Sequence, residues 1–177
     1  IKNRLDKGLL KGVIVETEAY SQEEEACHGH NKKTLSNQVL FGEPGRFYIY
    51  KSYGIHNCLN VVTDREDFAS GVLIRSVYIS DEDERKASGP GLVTKTFEVD
   101  IKYNSLKIND NNSLWIVKRE PPIEKKDLIQ TTRIGISKAK NIQWRWYLKS
   151  SRSISKRQKG DRKPTLEHSN NHLFCKT

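Results

Sequence analysis

The sequence predicts a single α+β domain: a curved antiparallel β-sheet with helices packed around it and one β-hairpin projecting from it. Three observations carry that expectation. Val13 to Tyr20 alternates, with Ile14, Glu16, Glu18 and Tyr20 on one face of a strand and Val13, Val15, Thr17 and Ala19 on the other. Phe47 to Tyr50 and Ile55 to Val62 are apolar runs broken at Tyr53-Gly54, the pattern of two strands joined by a tight turn. Gly71 to Ile79 is a further apolar run, with Arg75 inside it. At 177 residues the chain fits one domain able to bury a core.

The elements follow in order. Ile1 to Lys11 is mixed and ends at Gly12. After the alternating strand, Ser21 to Ala26 is acidic and can start a helical turn, and Gly29 to Gln38 is polar and loop-like. Gly42-Glu43-Pro44-Gly45 is a turn into the aromatic strand, and the hairpin that follows has Tyr53 near its tip. Asp81 to Lys86 is charged and reads as a short helix or exposed loop. Ser88-Gly89-Pro90-Gly91 is a turn that can open a helix from Leu92. Ser113 to Val117, Arg133 to Ile136 and Trp144 to Leu148 are the remaining strand candidates. Composition changes after Lys149, and residues 156–177 are expected to form a basic, disordered tail beyond a domain of residues 1–155. The chain contains no methionine, so it is expected to be a fragment or to start upstream of Ile1.

Lysine and arginine number 31 against 22 acidic residues, a formal charge of +9 that favours a polyanionic partner. No apolar run reaches the ~18 residues of a membrane span, so nucleic acid fits better than a membrane. Cys27, Cys58 and Cys175 form an odd, widely spaced set without a C-x-x-C pair. A disulfide framework and a structural zinc site are therefore not expected, and a reducing intracellular compartment is. His28 and His30 beside Cys27 lack the further ligands that a metal site needs.

Against that basic background, Glu16, Glu18, Tyr20, His28, Tyr48, Tyr50 and Tyr53 concentrate carboxylates, an imidazole and phenols in a short span. Removing one base from a nucleic acid needs these parts. The base must be flipped out of the stack. Aromatic faces must hold it, at roughly 1–3 kcal/mol per base. A carboxylate must take the proton of an attacking water as an oxocarbenium-like centre forms. Glu16 or Glu18 can be that base, and the chemistry alone does not choose between them. Tyr20, His28, Tyr48 and Tyr50 can line a pocket, and Tyr53 can wedge into a duplex. The competing reading is ordinary packing of strand tyrosines and solvation of strand glutamates.

The chain resembles the alkylpurine-type 3-methyladenine DNA glycosylase family from about Leu9 to Ser155. The resemblance rests on Val15-Glu16-Thr17-Glu18-Ala19-Tyr20, Glu25-Ala26-Cys27-His28, Pro44-Gly45 and Tyr48-Ile49-Tyr50-Lys51-Ser52-Tyr53-Gly54. It continues through Asn57-Cys58-Leu59-Asn60, Gly71-Val72-Leu73-Ile74-Arg75, Ser88-Gly89-Pro90-Gly91, Arg133-Ile134-Gly135-Ile136 and Trp144-Arg145-Trp146-Tyr147. It implies a sheet like the C-terminal barrel of formyltransferases. It also implies Glu18 as general base, and Arg75 as the arginine holding the water and nearby DNA backbone. Tyr20, His28 and Tyr50 are implied as the base sandwich, with the His28 backbone N–H reading the base edge. Tyr53 is the implied intercalating wedge, and Asn60 the residue that crowds the 2-amino group of guanine; Tyr48 is packing support.

The implied activity is excision of 3-methyladenine, 7-methylguanine, hypoxanthine or ethenoadenine by a monomer acting on double-stranded DNA. It needs no metal or organic cofactor and no Schiff base. The place of action is the cytoplasm of a prokaryote or the nucleus of a eukaryote. Several departures from the family pattern stand out: the Ser80–Ser88 connection is short, Leu92 and Gln143 replace a usual lysine and proline, and the basic tail after Ser155 has no family counterpart. A catalytically impaired nucleic-acid-binding module of the same fold is the alternative, and an RNA-binding domain a weaker third reading.

Overall fold

The computed structural model describes residues 1–4, 7–109, 112–120 and 122–166. Its centre is a six-stranded sheet in which every neighbouring pair is antiparallel. Its strands are β3 (Val13–Ser21), β4 (Phe47–Ser52), β5 (His56–Val62), β6 (Ser70–Tyr78), β7 (Leu128–Thr131) and β8 (Arg145–Leu148), in the order β4-β5-β6-β3-β8-β7. A two-stranded ribbon of β1 (Lys2–Arg4) and β2 (Gly8–Leu10) precedes it.

The register divides the sheet into two faces. Glu18 lies opposite Leu73, Asn60 opposite Leu73, Tyr48 opposite Asn60, and Tyr50 opposite Cys58. Partners directly across a ladder share a face. Glu18, Tyr20, Leu73, Arg75, Cys58, Asn60, Tyr48 and Tyr50 therefore stand on one side. Phe47, Ile49, Leu59 and Ile74 point to the other, where they build the main core with Val93 and Phe97. Val93 comes from α1 (Pro90–Thr96), which starts at a proline suited to a first helical turn and packs on β5 and β6. A smaller cluster of Cys27, Leu40, Phe41, Tyr48, Val62 and Ala69 supports the polar-aromatic side.

The ladder between β3 and β6 is irregular around Glu16, and its register skips Val15 and Arg75. Such irregularities re-aim side chains. Strand β4 is an edge, but its outer groups are not left open. Phe47 N donates to Leu106 O at 2.8 Å, and Ile49 N donates to Asn104 Oδ1 at 2.9 Å. An edge covered in this way is protected from pairing with another chain.

The structure corrects several expectations. The sheet is open, with β4 and β7 at its edges, so the described residues form no closed barrel. Among the described residues the surrounding helices reduce to one seven-residue α-helix and three short 3₁₀ turns. Ser113 to Val117 is not a strand: only Leu114 bridges, to Lys2. Arg133 to Ile136 is a loop, and its Ile134 amide donates to the Glu18 carboxylate rather than to a ladder. Ribbon strands β1 and β2, and β7, were not expected; at three or four residues they are too short for periodicity to register.

The basic segment expected to be disordered is held to the fold over its first part. Arg157 pairs with Asp161 at 2.5 Å, and Asp161 accepts from the Tyr147 hydroxyl at 2.6 Å. The rest of that segment, residues 167–177, lies outside the described residues. Among the described residues no helix is long and apolar enough to cross a membrane.

Gly29 gives a test of the packing beneath the aromatic side. A Cβ there would meet the Ala69 Cβ at 2.2 Å and the Phe41 ring at 3.0 Å. Neither neighbour is the free end of a flexible chain. Gly29→Ala is expected to destabilise the protein by about 1–3 kcal/mol through overpacking, read as a lower urea midpoint; an unchanged midpoint would contradict this packing.

Candidate active site

The alternation of β3 puts Glu16, Glu18 and Tyr20 in one row, and the fold takes both carboxylates out of water: Glu16 is 1% exposed and Glu18 0%. A buried carboxylate survives only if cations and donors replace its hydration. The two glutamates solve this differently, and the difference separates what the sequence left open.

Glu16 is saturated. Its Oε1 accepts from Arg145 Nη1 at 2.8 Å and Ser155 Oγ at 2.9 Å, and its Oε2 from Ser76 Oγ at 2.7 Å and Ser155 N at 2.8 Å. Arg75 Nε adds an ion-pair contact at 3.5 Å. A carboxylate offers about four acceptor positions, and here all four are filled by protein. Glu18 accepts three hydrogen bonds: Tyr20 Oη at 2.9 Å and Arg75 Nη1 at 3.2 Å on Oε2, and the Ile134 N–H at 2.7 Å on Oε1. Among the described residues no other donor reaches Oε1, so this carboxylate keeps acceptor capacity.

All three hosts of Glu18, namely Tyr20, Arg75 and Ile134, line a cleft of about 540 Å³. Glu18 itself is not among the residues that line the cleft: its carboxylate, 0% exposed, sits behind these three groups. His28, Tyr48, Tyr50, Cys58, Asn60 and Tyr53 also line it. A cleft of this size with an apolar-aromatic lining and few polar groups is suited to one small flat ligand. A larger, apolar cleft of about 840 Å³ lies elsewhere, bordered by Trp115, Trp146 and Leu148, and none of the expected site residues except Glu16 borders it.

The rings form a connected group. His28 and Tyr50 meet edge to face with centroids 4.2 Å apart, and Tyr48 lies 5.5 Å from Tyr50. That separation leaves no slot between His28 and Tyr50, so together they make one wall rather than two. His28 Nδ1 is 3.3 Å from the Tyr48 hydroxyl. The imidazole opens onto the cleft, and the protein around it lowers its pKa by desolvation, which favours the neutral ring. The Tyr20 phenol is pushed far up, first by burial and then by the charge of Glu18 and the bond to it. It therefore stays protonated and serves as a donor.

Asn60 is buried, its Nδ2 donating to the Tyr48 carbonyl at 3.1 Å and the Cys58 carbonyl at 3.3 Å. Tyr53 is 89% exposed at the hairpin tip. Both Tyr53 and Gly54 have positive φ, 50° and 70°, and the Ile55 N–H closes the turn on Ser52 O at 3.0 Å. Positive φ at both central residues is the pattern of type I′ hairpins. Glycine takes this conformation freely, whereas a bulky ring there is strained, and strain of this kind collects at functional positions.

The structure therefore gathers Arg75, Tyr20, His28, Tyr50, Asn60 and Tyr53 around one cleft, with Glu18 buried behind it and bonded to Tyr20 and Arg75. Sequence reasoning missed Ile134, whose backbone amide binds Glu18, and Arg133 and Glu24, a fully buried pair behind Tyr20. The Arg133-Ile134-Gly135-Ile136 block was visible as a pattern, but a backbone donor carries no side-chain signature.

A buried carboxylate behind an aromatic-lined cleft on a basic domain fits an enzyme that removes bases from nucleic acid, and comparison with known proteins points to that class. The family model for methylpurine-DNA glycosylase matches residues 1–152. Proteins similar to this chain, each bearing 3-methyladenine DNA glycosylase as an inferred name, occur in several bacteria. One from Carboxydothermus hydrogenoformans is 41% identical, covering 84% of each chain. One from Trichodesmium erythraeum is 36% identical over 85% of this chain and 84% of its own, and one from Synechococcus elongatus 35% over 90% and 81%. The chain belongs to the methylpurine-DNA glycosylase family.

The division between the two glutamates is testable by stability alone. Glu16→Ala leaves Arg145 without its carboxylate in a dry site. It is expected to cost about 3–5 kcal/mol in chemical denaturation, the range for breaking a buried ion pair. A loss under about 1 kcal/mol would show that Glu16 is not the structural carboxylate.

Proposed function

We propose that this chain is a monofunctional DNA glycosylase of base excision repair, working as a monomer on double-stranded DNA inside the cell. It extrudes an alkylated or deaminated purine and hydrolyses its N-glycosidic bond. The observation that carries the reading is Glu18: a buried carboxylate with spare acceptor capacity, bonded to Tyr20, Arg75 and Ile134, which line the same cleft as His28 and Tyr50. The catalytic domain is residues 1–155.

In this reading the flipped base enters between Tyr20 and the His28–Tyr50 wall, with the His28 backbone N–H reading its edge. Water lies between Glu18 and the anomeric carbon. As the bond to the base lengthens, its electron pair leaves with the base and positive charge grows on the sugar. The water oxygen then bonds to the anomeric carbon and its proton passes to Glu18. Arg75 orients Glu18 through its hydrogen bond and contacts the nearby backbone. A base alkylated at ring nitrogen is cationic and leaves as a neutral molecule. 3-Methyladenine and 7-methylguanine therefore need little help beyond flipping and water activation. Hypoxanthine and ethenoadenine are neutral and ask more of the cleft at the leaving group. Asn60, fixed by two backbone carbonyls, crowds the 2-amino group of normal guanine. The attacking group is water, so no Schiff base forms, and neither metal nor organic cofactor takes part.

A second reading has one observation in its favour. Arg75 already pairs with Glu18 at 3.2 Å in a dry site, as in a permanent structural ion pair. In that case the chain is a nucleic-acid-binding module that recognises lesions without excising them.

One assay separates the two. On duplexes bearing 3-methyladenine or hypoxanthine, the protein is expected to yield alkali-sensitive abasic sites. Glu18→Gln is expected to slow their formation by about 10²–10⁴-fold, the range for loss of a general base, while remaining folded. Tight lesion binding with no abasic product from the wild type would establish the module instead. The wedge role of Tyr53 has its own signature. Tyr53→Ala is expected to lower excision from duplex more than from a single strand, because only a duplex has a stack to fill; equal losses would remove that role.

A further inference from the structure

We propose that Arg133, locked by Glu24, is a positioning residue that sets the orientation of the Tyr20 ring and, through it, of Glu18. The proposal rests on the glycosylase reading and deepens it.

The side chain of Arg133 is 0% exposed and that of Glu24 5%. The pair is bidentate: Nη1 donates to Glu24 Oε1 at 2.6 Å and Nη2 to Oε2 at 2.8 Å. This fork-on-carboxylate geometry fixes the guanidinium plane, which a lysine cannot reproduce. The plane is then used twice against β3. Its centre lies 4.6 Å from the Tyr20 ring centroid, within cation–π range. Its Nη1 also donates to the carbonyl of Ala19, the residue before Tyr20, at 3.0 Å. Trp144, 5.7 Å away by the same measure, adds a second ring contact.

Tyr20 is thereby gripped by its ring and through the carbonyl of Ala19 before it, and its hydroxyl in turn donates to Glu18 Oε2 at 2.9 Å. The next residue, Ile134, supplies the amide on Glu18 Oε1. Arg133 does not line the cleft but lies over the Tyr20 ring, which does, so it acts through Tyr20. A stacking ring displaced by as little as ~1 Å can cost about a hundredfold in rate. A buried ion pair this far from water is otherwise a poor source of stability, so stability alone does not account for it.

The experiment is a double-mutant cycle on the single-turnover rate of hypoxanthine or 3-methyladenine excision. Arg133→Lys keeps the charge and removes the fork. It is expected to slow excision about tenfold or more in the wild-type background, and less than about twofold in a Tyr20→Ala background, where there is no ring left to aim. A merely structural role lowers the folded fraction equally in both backgrounds, so the same fold-loss in each would overturn the proposal, as would no loss at all. If Arg133→Lys does not fold, Glu24→Gln, which keeps the shape of the acceptor and drops its charge, is carried through the same cycle with the same criteria. A wild type that releases no base from either lesion sinks the glycosylase reading itself; an active wild type with multiplicative losses sinks only this inference.

Discussion

Two carboxylates taken wholly out of water from the same face of one strand govern this molecule. Each needs several donors at close range, and β3 alone cannot provide them. Glu16 draws on Ser76 from β6, Arg145 from β8 and Ser155 from the segment after it. Glu18 draws on Arg75 from β6 and on Ile134 from the loop before β8. Some of these partners are more than a hundred residues away in sequence. An ionised group left unpaired in such a place is strongly penalised, so satisfying the two glutamates selects one arrangement of the central strands. The proposed chemistry then uses groups whose placement the fold already requires.

The two-faced sheet makes that economical. Phe47, Ile49, Leu59 and Ile74 drive burial on one side. The other side carries phenols, an imidazole and an amide that would weaken an ordinary core. They are tolerated because a cleft opens over them and because each polar head that is buried has a partner. Tyr53 projects from the same sheet on a turn whose backbone signs suit a hairpin but strain a bulky side chain. A position so exposed and so strained has no role in holding the fold, and its ring is presented outward.

Much of this was legible in the sequence because the informative elements have strong periods. The alternation of Val13 to Tyr20 gave a strand and put Glu16, Glu18 and Tyr20 in one row. The aromatic runs flanking Tyr53-Gly54 gave the hairpin. What alternation could not supply was which glutamate is saturated, since that depends on donors such as Ser155 that carry no pattern of their own. The Ile134 amide was hidden for a related reason: any residue can offer a backbone N–H. Arg133 was read as part of a strand, whereas its guanidinium is drawn to Glu24 and Tyr20 and its backbone forms a loop. The basic segment after Ser155 looked unstructured by composition, yet Asp161, placed between Arg157 and the Tyr147 hydroxyl, ties its first part to β8. A single well-placed acceptor outweighs a run of like charges.

The central claim is that Glu18 faces the sugar of an extruded nucleotide across one water. The most direct measurement is a structure of the Glu18→Gln protein bound to a duplex containing a hypoxanthine nucleotide. The account predicts the base between Tyr20 and the His28–Tyr50 wall. It also predicts a water within hydrogen-bond reach of the residue-18 side chain, about 2.6–3.2 Å, lying against the anomeric carbon on the side opposite the base. A base seated in the cleft with the residue-18 side chain still sealed behind Tyr20 and Arg75, and no water between it and the sugar, would contradict it.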